Sequence, residues 1–329
     1  MTQGSRERWR RALLSACGVL FTILISLAAT EITLRVIDLR VLREVGGERS
    51  LSYHYDAELG WAPVPNSSAA VTTARTIQAR HNSLGFRDIE FVPGDRPAML
   101  FIGDSFVWGV DAEADERFTD LLRDRIPDSA IVNAGVSGFG TDQEYLLLQR
   151  IWPKIEPKVV VLIFCTANDR IDNRSNIRYD GYQKPYFVST DDGKLVLSGQ
   201  PVPKSRQLYF KQDWLVRHWW LARAAVYAYL EIRYPALSLP DPTERLVSRM
   251  REFVEAHGAR LYVGLQGRDN KLTEHLQGEK IPFVIFDGAD AYSDIYGAHW
   301  TPSGHRLVAE RLLKLLSENN VIPSSGTPR

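Results

Sequence analysis

The hydrophobic pattern divides the chain into three stretches of different character. Residues 12–29 run for 18 positions without a charge, behind a segment that carries Arg6, Arg8, Arg10 and Arg11. That run approaches the ~20 apolar residues that cross a bilayer and exceeds the about 7–15 of a secretory signal. Beyond it, Ile32, Leu34, Val36, Ile37, Leu39, Val41 and Leu42 alternate irregularly with charges and predict a continuing juxtamembrane helix. Residues 46–95 are rich in Ser, Asn, Pro and Gly, which predicts an irregular arm laid over the main domain. From Pro97 the pattern becomes regular. Apolar runs at 98–102, 130–133, 158–165, 260–265 and 282–286 predict strands, and helical segments fall at 116–124, 142–152, 243–257 and 272–276 and after Pro302.

Strands alternating with helices predict an α/β fold, a three-layer sandwich with a central parallel sheet covered on both faces. Val159-Val160-Val161-Leu162-Ile163-Phe164 is wholly apolar, as a central strand buried on both sides requires. Residues 170–240 interrupt the rhythm. Lys194-Leu195-Val196-Leu197 after Asp191-Asp192-Gly193 predicts a hairpin strand, and 214–229, with Trp219, Trp220, Tyr227 and Tyr229, predicts an aromatic helix. We read this stretch as an insertion beside the mouth of a site, packed on the sheet or the membrane, or serving as a stacking platform for substrate. The expected organisation is a tail, transmembrane anchor and juxtamembrane helix over 1–45, an arm over 46–95, a catalytic domain over 96–320 containing the insertion, and a tail over 321–329.

Charge and cysteine content narrow the function. Lys+Arg and Asp+Glu both number 40, and there is no basic tract and no zinc-type cysteine spacing, so no nucleic-acid partner is expected. Cys17 lies in the apolar N-terminal run and Cys165 in a buried strand, too differently placed to pair. No P-loop, dinucleotide fingerprint or metal-ligand cluster is present, so neither a cofactor nor a metal is expected. The N-terminal run reads as an inner-membrane anchor, with cleavage after Ser26-Leu27-Ala28 as the alternative. Either way the catalytic domain becomes periplasmic or otherwise extracytoplasmic. Arg35, Arg40 and Arg43 follow the run, so the basic bias across it is only four against three.

The candidate chemistry lies where predicted strands end. Ala98-Met99-Leu100-Phe101-Ile102 leads into Gly103-Asp104-Ser105-Phe106, which puts Ser105 at the carboxyl edge of the sheet, where open α/β folds bind ligands. A serine hydroxyl needs a base within hydrogen-bond reach and donors aimed at the developing oxyanion. Asn133-Ala134-Gly135-Val136-Ser137-Gly138-Phe139-Gly140 follows the second strand and offers backbone N–H groups. Thr166-Ala167-Asn168-Asp169 follows the third and offers a side-chain amide. Gly297-Ala298-His299-Trp300-Thr301-Pro302 places a histidine just before the last helix. Gly103-Asp104-Ser105-Phe106-Val107 lacks the second glycine of a G-x-S-x-G elbow, which argues against an ordinary α/β-hydrolase.

These four blocks, in this order, resemble the SGNH/GDSL hydrolases over about residues 98–315. The N-terminal span and the arm sequence Asn82-Ser83-Leu84-Gly85-Phe86-Arg87-Asp88 resemble a bacterial membrane-anchored branch of that family. The resemblance implies the SGNH-hydrolase, flavodoxin-like fold and a serine ester hydrolase. It implies Ser105 as nucleophile, with His299 as general base and later acid. Gly138 N–H and the Asn168 amide join the Ser105 N–H as oxyanion donors, while Asp104 and Asp169 hold their turns. His305 reads as a helix-packing residue, and His54 and His81 as arm residues. The family usually supplies an acid three residues before the histidine, or in some relatives two. Here those positions are Tyr296 and Gly297, which leaves Asp294 as a candidate acid, or else a Ser–His dyad. The expected substrate is an O-acyl ester, acetyl on a carbohydrate foremost. An O-acyltransferase of the cell envelope and a non-catalytic glycan-binding protein on the same fold are the alternatives.

Overall fold

Apolar segments that alternate with helices leave the chain one economical arrangement, a sheet of parallel strands with helices on each face. The computed structural model describes residues 3–44, 53–179, 181–190, 194–293 and 298–323. Its elements begin with the long helix α1 (Gln3–Ile37), then the strands β1 (Tyr53–Asp56), β2 (Gly60–Pro63), β3 (Ser68–Thr72), β4 (Thr76–Arg80) and β5 (Ala98–Gly103). Next come α2 (Ser105–Trp108), α3 (Phe118–Arg125), β6 (Ala130–Gly135), α4 (Thr141–Ile155), β7 (Val159–Phe164) and the single turn α5 (Asp169–Asp172). The inserted stretch carries β8 (Ile177–Arg178), β9 (Tyr182–Gln183), β10 (Tyr186–Ser189), β11 (Leu195–Ser198), α6 (Arg206–Gln212), α7 (Trp214–His218) and α8 (Trp220–Arg233). The chain closes with α9 (Thr243–Ala256), β12 (Arg260–Leu265), α10 (Asn270–Gly278), β13 (Phe283–Ile285) and α11 (Pro302–Glu318).

The chain forms two compact units, Met1–Glu44 with Arg206–Pro235, and Val45–Ser205 with Ala236–Arg329. In the second, a five-stranded sheet has the order β13-β12-β7-β5-β6, all parallel. The order reverses beside β5, so the turn after that strand opens at the switch point of the sheet. One sheet face presents Met99, Phe101, Val161 and Ile163 to Phe118, Leu122, Val308 and Leu312 of α3 and α11. Leu100, Ile102, Val160 and Leu162, pointing the other way, are equally buried, and α4 and α9 cover that side. The predicted three-layer α/β sandwich is therefore the observed one.

Two features differ from the sequence expectation. The arm is more regular than its composition suggested: β1 and β2 form one antiparallel hairpin and β3 and β4 another. Its strands are short, and the second hairpin buries only Val71, Ile77 and Ala79, so the apolar signal is faint. The insertion is also not one body, because 206–235 belongs with the N-terminal helix. There the buried Arg223 donates to Val216 O (3.0 Å), Leu42 O (3.0 Å) and Arg217 O (2.7 Å) and pairs with Glu44 (2.9 Å). The aromatic helix expected over 214–229 is two helices meeting at Trp219. The break coincides with Glu31, whose carboxylate accepts from the N–H groups of Trp220 (3.1 Å) and Leu221 (2.8 Å) and caps α8.

The short helix α2 owes its seat to β6. The buried Asn133 amide donates to Val107 O (2.7 Å) and Thr119 Oγ1 (2.9 Å) and accepts from Gly135 N–H (3.0 Å). Gly135 makes room for this, since a Cβ there would collide with the Trp108 backbone nitrogen. Gly135→Ala should therefore destabilise the second unit by about 1–3 kcal/mol, read as a lower Tm in calorimetry. An unchanged Tm would show that α2 moves freely against β6.

Candidate active site

Ser105 is the first residue of α2, directly after the sheet strand β5. Asp104 caps that helix, its Oδ1 accepting from Phe106 N–H (3.0 Å), while its Oδ2 lies 3.5 Å from Ser105 Oγ. His299 precedes α11, whose start is fixed by the Thr301 cap and Pro302. Phe106 packs against both His299 and Trp300, with ring centroids 5.3 and 4.7 Å away. His299 Nε2 stands 2.9 Å from Ser105 Oγ. Ser105 is 6% exposed and His299 4%, so the pair meets in a nearly water-free setting.

The two predicted oxyanion residues lie on neighbouring turns with well-defined surroundings. Gly138 has φ +83°, in the left-handed region, and a Cβ there would lie 2.8 Å from the ring of Tyr179. Arg178 places its guanidinium 3.8 Å from the Tyr179 ring centroid and pairs with Asp172 (2.8 Å). Asp172 in turn accepts from Asn168 Nδ2 (2.8 Å), and Asn168 Oδ1 accepts from the Cys165 thiol (2.6 Å). Asn168 and the wall over Gly138 thus belong to one chain of contacts supplied by the start of the insertion. Asp169 holds its turn as expected, with Oδ2 accepting from Cys165 N–H (2.8 Å).

On the other side of His299, the candidate acid Asp294 lies outside the described residues, as do Tyr296 and Gly297. Among the described residues, a carboxylate that the motifs do not mark lies near His299: Asp111 Oδ2 is 4.0 Å from His299 Nδ1. The one sequence cue is an acid set in the apolar run 106–112. The arm motif explains how that loop is held. Asn82 Oδ1 accepts from the N–H groups of Leu84 and Phe86 (3.0 Å each), and Asp88 pairs with Arg123 (2.6 Å). Between them the buried Arg87 donates to Gly109 O (2.6 Å), Ala112 O (2.7 Å) and Gln78 O (3.1 Å).

The remaining histidines are structural or remote. His305 is buried on α11, stacks on Phe118 and accepts from Phe118 N–H (3.3 Å). Burial, with Arg117 and Arg87 nearby, pushes its pKa down to about 3. His81 is buried in the arm and accepts from Trp108 Nε1 (3.3 Å), and His54 is exposed on β1.

Acidic side chains crowd the interior on the Asn168 side. Glu144 and Asp169 are fully buried, and burial followed by neighbouring carboxylates raises both well above the usual carboxylate range. Asp172 is pushed up to about 6, by burial first, with Arg178 opposing. Lys184 forms a wholly buried pair with Asp142 and also donates to Asp172 O (3.1 Å) and Ser175 O (3.2 Å). Asp104, Cys165 and Asp169 place one donor atom each within 4.8 Å of one another. Their atoms are engaged in the turns just described, and burial pushes the Cys165 thiol up, which makes it a poor metal ligand.

Residues 101–307 match the GDSL-like lipase/acylhydrolase family, a span that holds both Ser105 and His299. The chain belongs to this family of acylhydrolases. Among solved structures it is similar to TesA, at 14% identity and a TM-score of 0.40 over 67% of this chain and 98% of that one. It is also similar to a G-D-S-L lipolytic protein from Veillonella parvula, at 13% identity and a TM-score of 0.39 over 67% and 98%. A two-domain esterase active on acetylated mannans shares 12% identity and a TM-score of 0.38 over 72% of this chain and 52% of its own. No curated protein matches the sequence.

The raised carboxyl pKa values tie stability to pH. An acid whose folded pKa exceeds its unfolded value favours the folded state at low pH, and that contribution vanishes as pH rises through the folded pKa. For Asp172 the window runs from its ordinary 3.8 to about 6. Glu144 acts in the same direction, and both its oxygens lack a hydrogen-bond partner among the described residues. Glu144→Gln should hold or raise Tm at pH 8 and flatten the decline in Tm between pH 5 and 8. A fall of more than ~5 °C at pH 8, which corresponds to about 2 kcal/mol, would show that an ionised Glu144 is needed.

Proposed function

We propose that this acylhydrolase is a serine esterase that removes a short acyl group, acetyl foremost, from an O-acylated carbohydrate outside the cytoplasm. The observation that carries the mechanism is the 2.9 Å contact between Ser105 Oγ and His299 Nε2. Ser105 attacks the ester carbonyl while His299 takes its proton. The tetrahedral oxyanion is held by the N–H groups of Ser105 and Gly138 and by Asn168 Nδ2. Asn168 uses one amide hydrogen on Asp172, and its other near contact, Asp169 Oδ1, is a long 3.4 Å, so one hydrogen remains for the substrate. The intermediate collapses with cleavage of the bond to the sugar oxygen, and His299 gives its proton to that oxygen, releasing the sugar alcohol and leaving acyl-Ser105. Water attacks the acyl-serine with His299 again as base, releasing the carboxylic acid and restoring Ser105. A short acyl group is favoured because Tyr179 closes directly over Gly138.

Transfer to a second sugar hydroxyl in place of water uses the same residues. The near-complete burial of Ser105 and His299 favours it, since a site that excludes water lengthens the life of an acyl-enzyme. A purely glycan-binding role leaves the Ser105–His299 hydrogen bond without a purpose. Incubation with p-nitrophenyl acetate and acetylated oligosaccharides should give turnover and labelling by a fluorophosphonate probe. Ser105→Ala should abolish labelling and lower turnover by about 10³-fold or more. Labelling without hydrolysis, but with transfer to an added glycan, would select the transferase. A folded wild-type protein that neither labels nor turns over would select the binding role.

The membrane anchor is part of the same proposal. α1 is apolar and long enough to cross a bilayer over Arg6–Ile37, and none of its apolar window is buried. Glu31, just past the uncharged run, caps α8, and Trp214, Leu215 and Trp219 are 70%, 55% and 45% exposed in the same unit. Exposed tryptophans where a span ends fit the headgroup boundary of a bilayer. The full chain should sediment with membranes after an alkaline carbonate wash, and a C-terminal alkaline phosphatase fusion should be active. Release by carbonate would remove the anchor, and an inactive phosphatase fusion would reverse the orientation.

A further inference from the structure

A histidine that acts as base at Nε2 must be held, and its positive charge stabilised, from Nδ1. The positions three and two residues before His299 carry Tyr296 and Gly297, neither of which is an acid. Asp111, on the loop that follows the nucleophile's own helix, brings Oδ2 to 4.0 Å from His299 Nδ1. Asp111 is fully buried, and among the described residues Oδ2 has no hydrogen-bond partner. Its other oxygen is tied to the arm: the Thr73 hydroxyl donates to Oδ1, and so does the Arg75 N–H at 3.1 Å. The loop itself is gripped by Arg87 through Gly109 O and Ala112 O.

We propose that Asp111 is the positioning residue for His299, and that the β3–β4 hairpin of the arm holds it in place. The inference rests on the Ser105–His299 acyl-transfer reading. At 4.0 Å the two atoms are at ion-pair range but beyond the 2.7–3.2 Å of a hydrogen bond. Catalytic contacts of this kind are often loose in free enzymes and tighten once substrate is bound. When His299 takes the Ser105 proton, the imidazolium gives the buried carboxylate a counter-charge, and both buried groups gain from closing the gap.

The other charged groups described near the site are engaged elsewhere. Glu113 accepts from Gln78 N–H (3.1 Å), and Glu116 pairs with Arg75 (2.8 Å) and accepts from Glu113 N–H (2.8 Å). Asp104 faces Ser105 Oγ, on the Nε2 side of the imidazole. Arg87 and Arg117 are turned to carbonyls and to Asp120, and His305 is engaged with Phe118. Asp111 itself lies within ion-pair distance of His299.

The test compares wild type, Asp111→Asn, Asp111→Glu, Thr73→Val and Ser105→Ala in the full chain. It reads kcat and KM for p-nitrophenyl acetate across pH 5–10, the rate of fluorophosphonate labelling, and Tm. Asp111→Asn should lower kcat and the labelling rate by about 10²–10⁴-fold with KM little changed. It should also move the acid limb of the rate profile to lower pH, because the imidazolium loses its counter-charge. Asp111→Glu should restore part of the rate, and Thr73→Val should cost about 3–10-fold with the same shift in smaller measure. Asp111→Asn within threefold of wild type at every pH, with Ser105→Ala inactive, would overturn the assignment and leave the acyl-transfer reading standing. Full activity in Ser105→Ala would instead overturn that reading itself. If Asp111→Asn fails to fold, Thr73→Val decides: a rate and pH profile equal to wild type would overturn the proposal.

Discussion

The hydrogen bond between Ser105 and His299 joins the turn after one sheet strand to the segment before the last helix, and most of the catalytic unit serves to make it possible. Its geometry depends on register. Gly103 pairs with Gly135 on one side and Ile163 on the other, so the turns after β5 and β6 leave the sheet at one level. A slip of one residue would turn every side chain of a strand to the opposite face. Val160 to Phe164 are buried throughout, so a slipped strand would still bury apolar atoms but against the wrong helices. The aromatic cluster of Phe106, Phe118, Phe286 and Trp300 then fixes the approach of His299 from below.

Electrostatics gives the insertion a role beyond decoration. Asp142, Glu144, Asp169 and Asp172 all sit in the interior near Asn168, and so many carboxyl groups in one dry region cannot all be ionised. The insertion answers with two cations, Lys184 on Asp142 and Arg178 on Asp172. Arg178 also orients Tyr179 over Gly138. Charge balance in the interior and the shape of the wall over Gly138 are therefore set by the same short segment, and a change in one is felt in the other.

Much of this was legible in the sequence where burial is two-sided or chemistry is local. All five sheet strands announce themselves as apolar runs between helical segments, and Ser105, Gly138, Asn168 and His299 fall at strand ends or a helix start. The arm hairpins were not legible, because Ser68-Ala69-Ala70-Val71-Thr72 buries little and alternates weakly. The break at Trp219 was hidden too, for the cap that creates it comes from Glu31, far away in the chain. Asp111 carries no spacing relation to His299 at all. Only the fold brings the two together, and a single acid among apolar neighbours was its whole signature.

The clamp that Arg87, Thr73 and Arg75 place on the loop of Asp111 has an evolutionary consequence. In a triad whose acid and base share one short loop, any change that reshapes the loop for a new acceptor endangers the base. Under the proposed assignment the carboxylate is mounted on the loop after Ser105 and braced by the arm, which would release the residues before His299 from that duty. Tyr296 and Gly297 occupy positions at which a relative would be held to an acid. Selection can vary that loop for substrate fit while the proton-handling parts stay in register, so the arm acts as a source of evolvability as well as of rigidity.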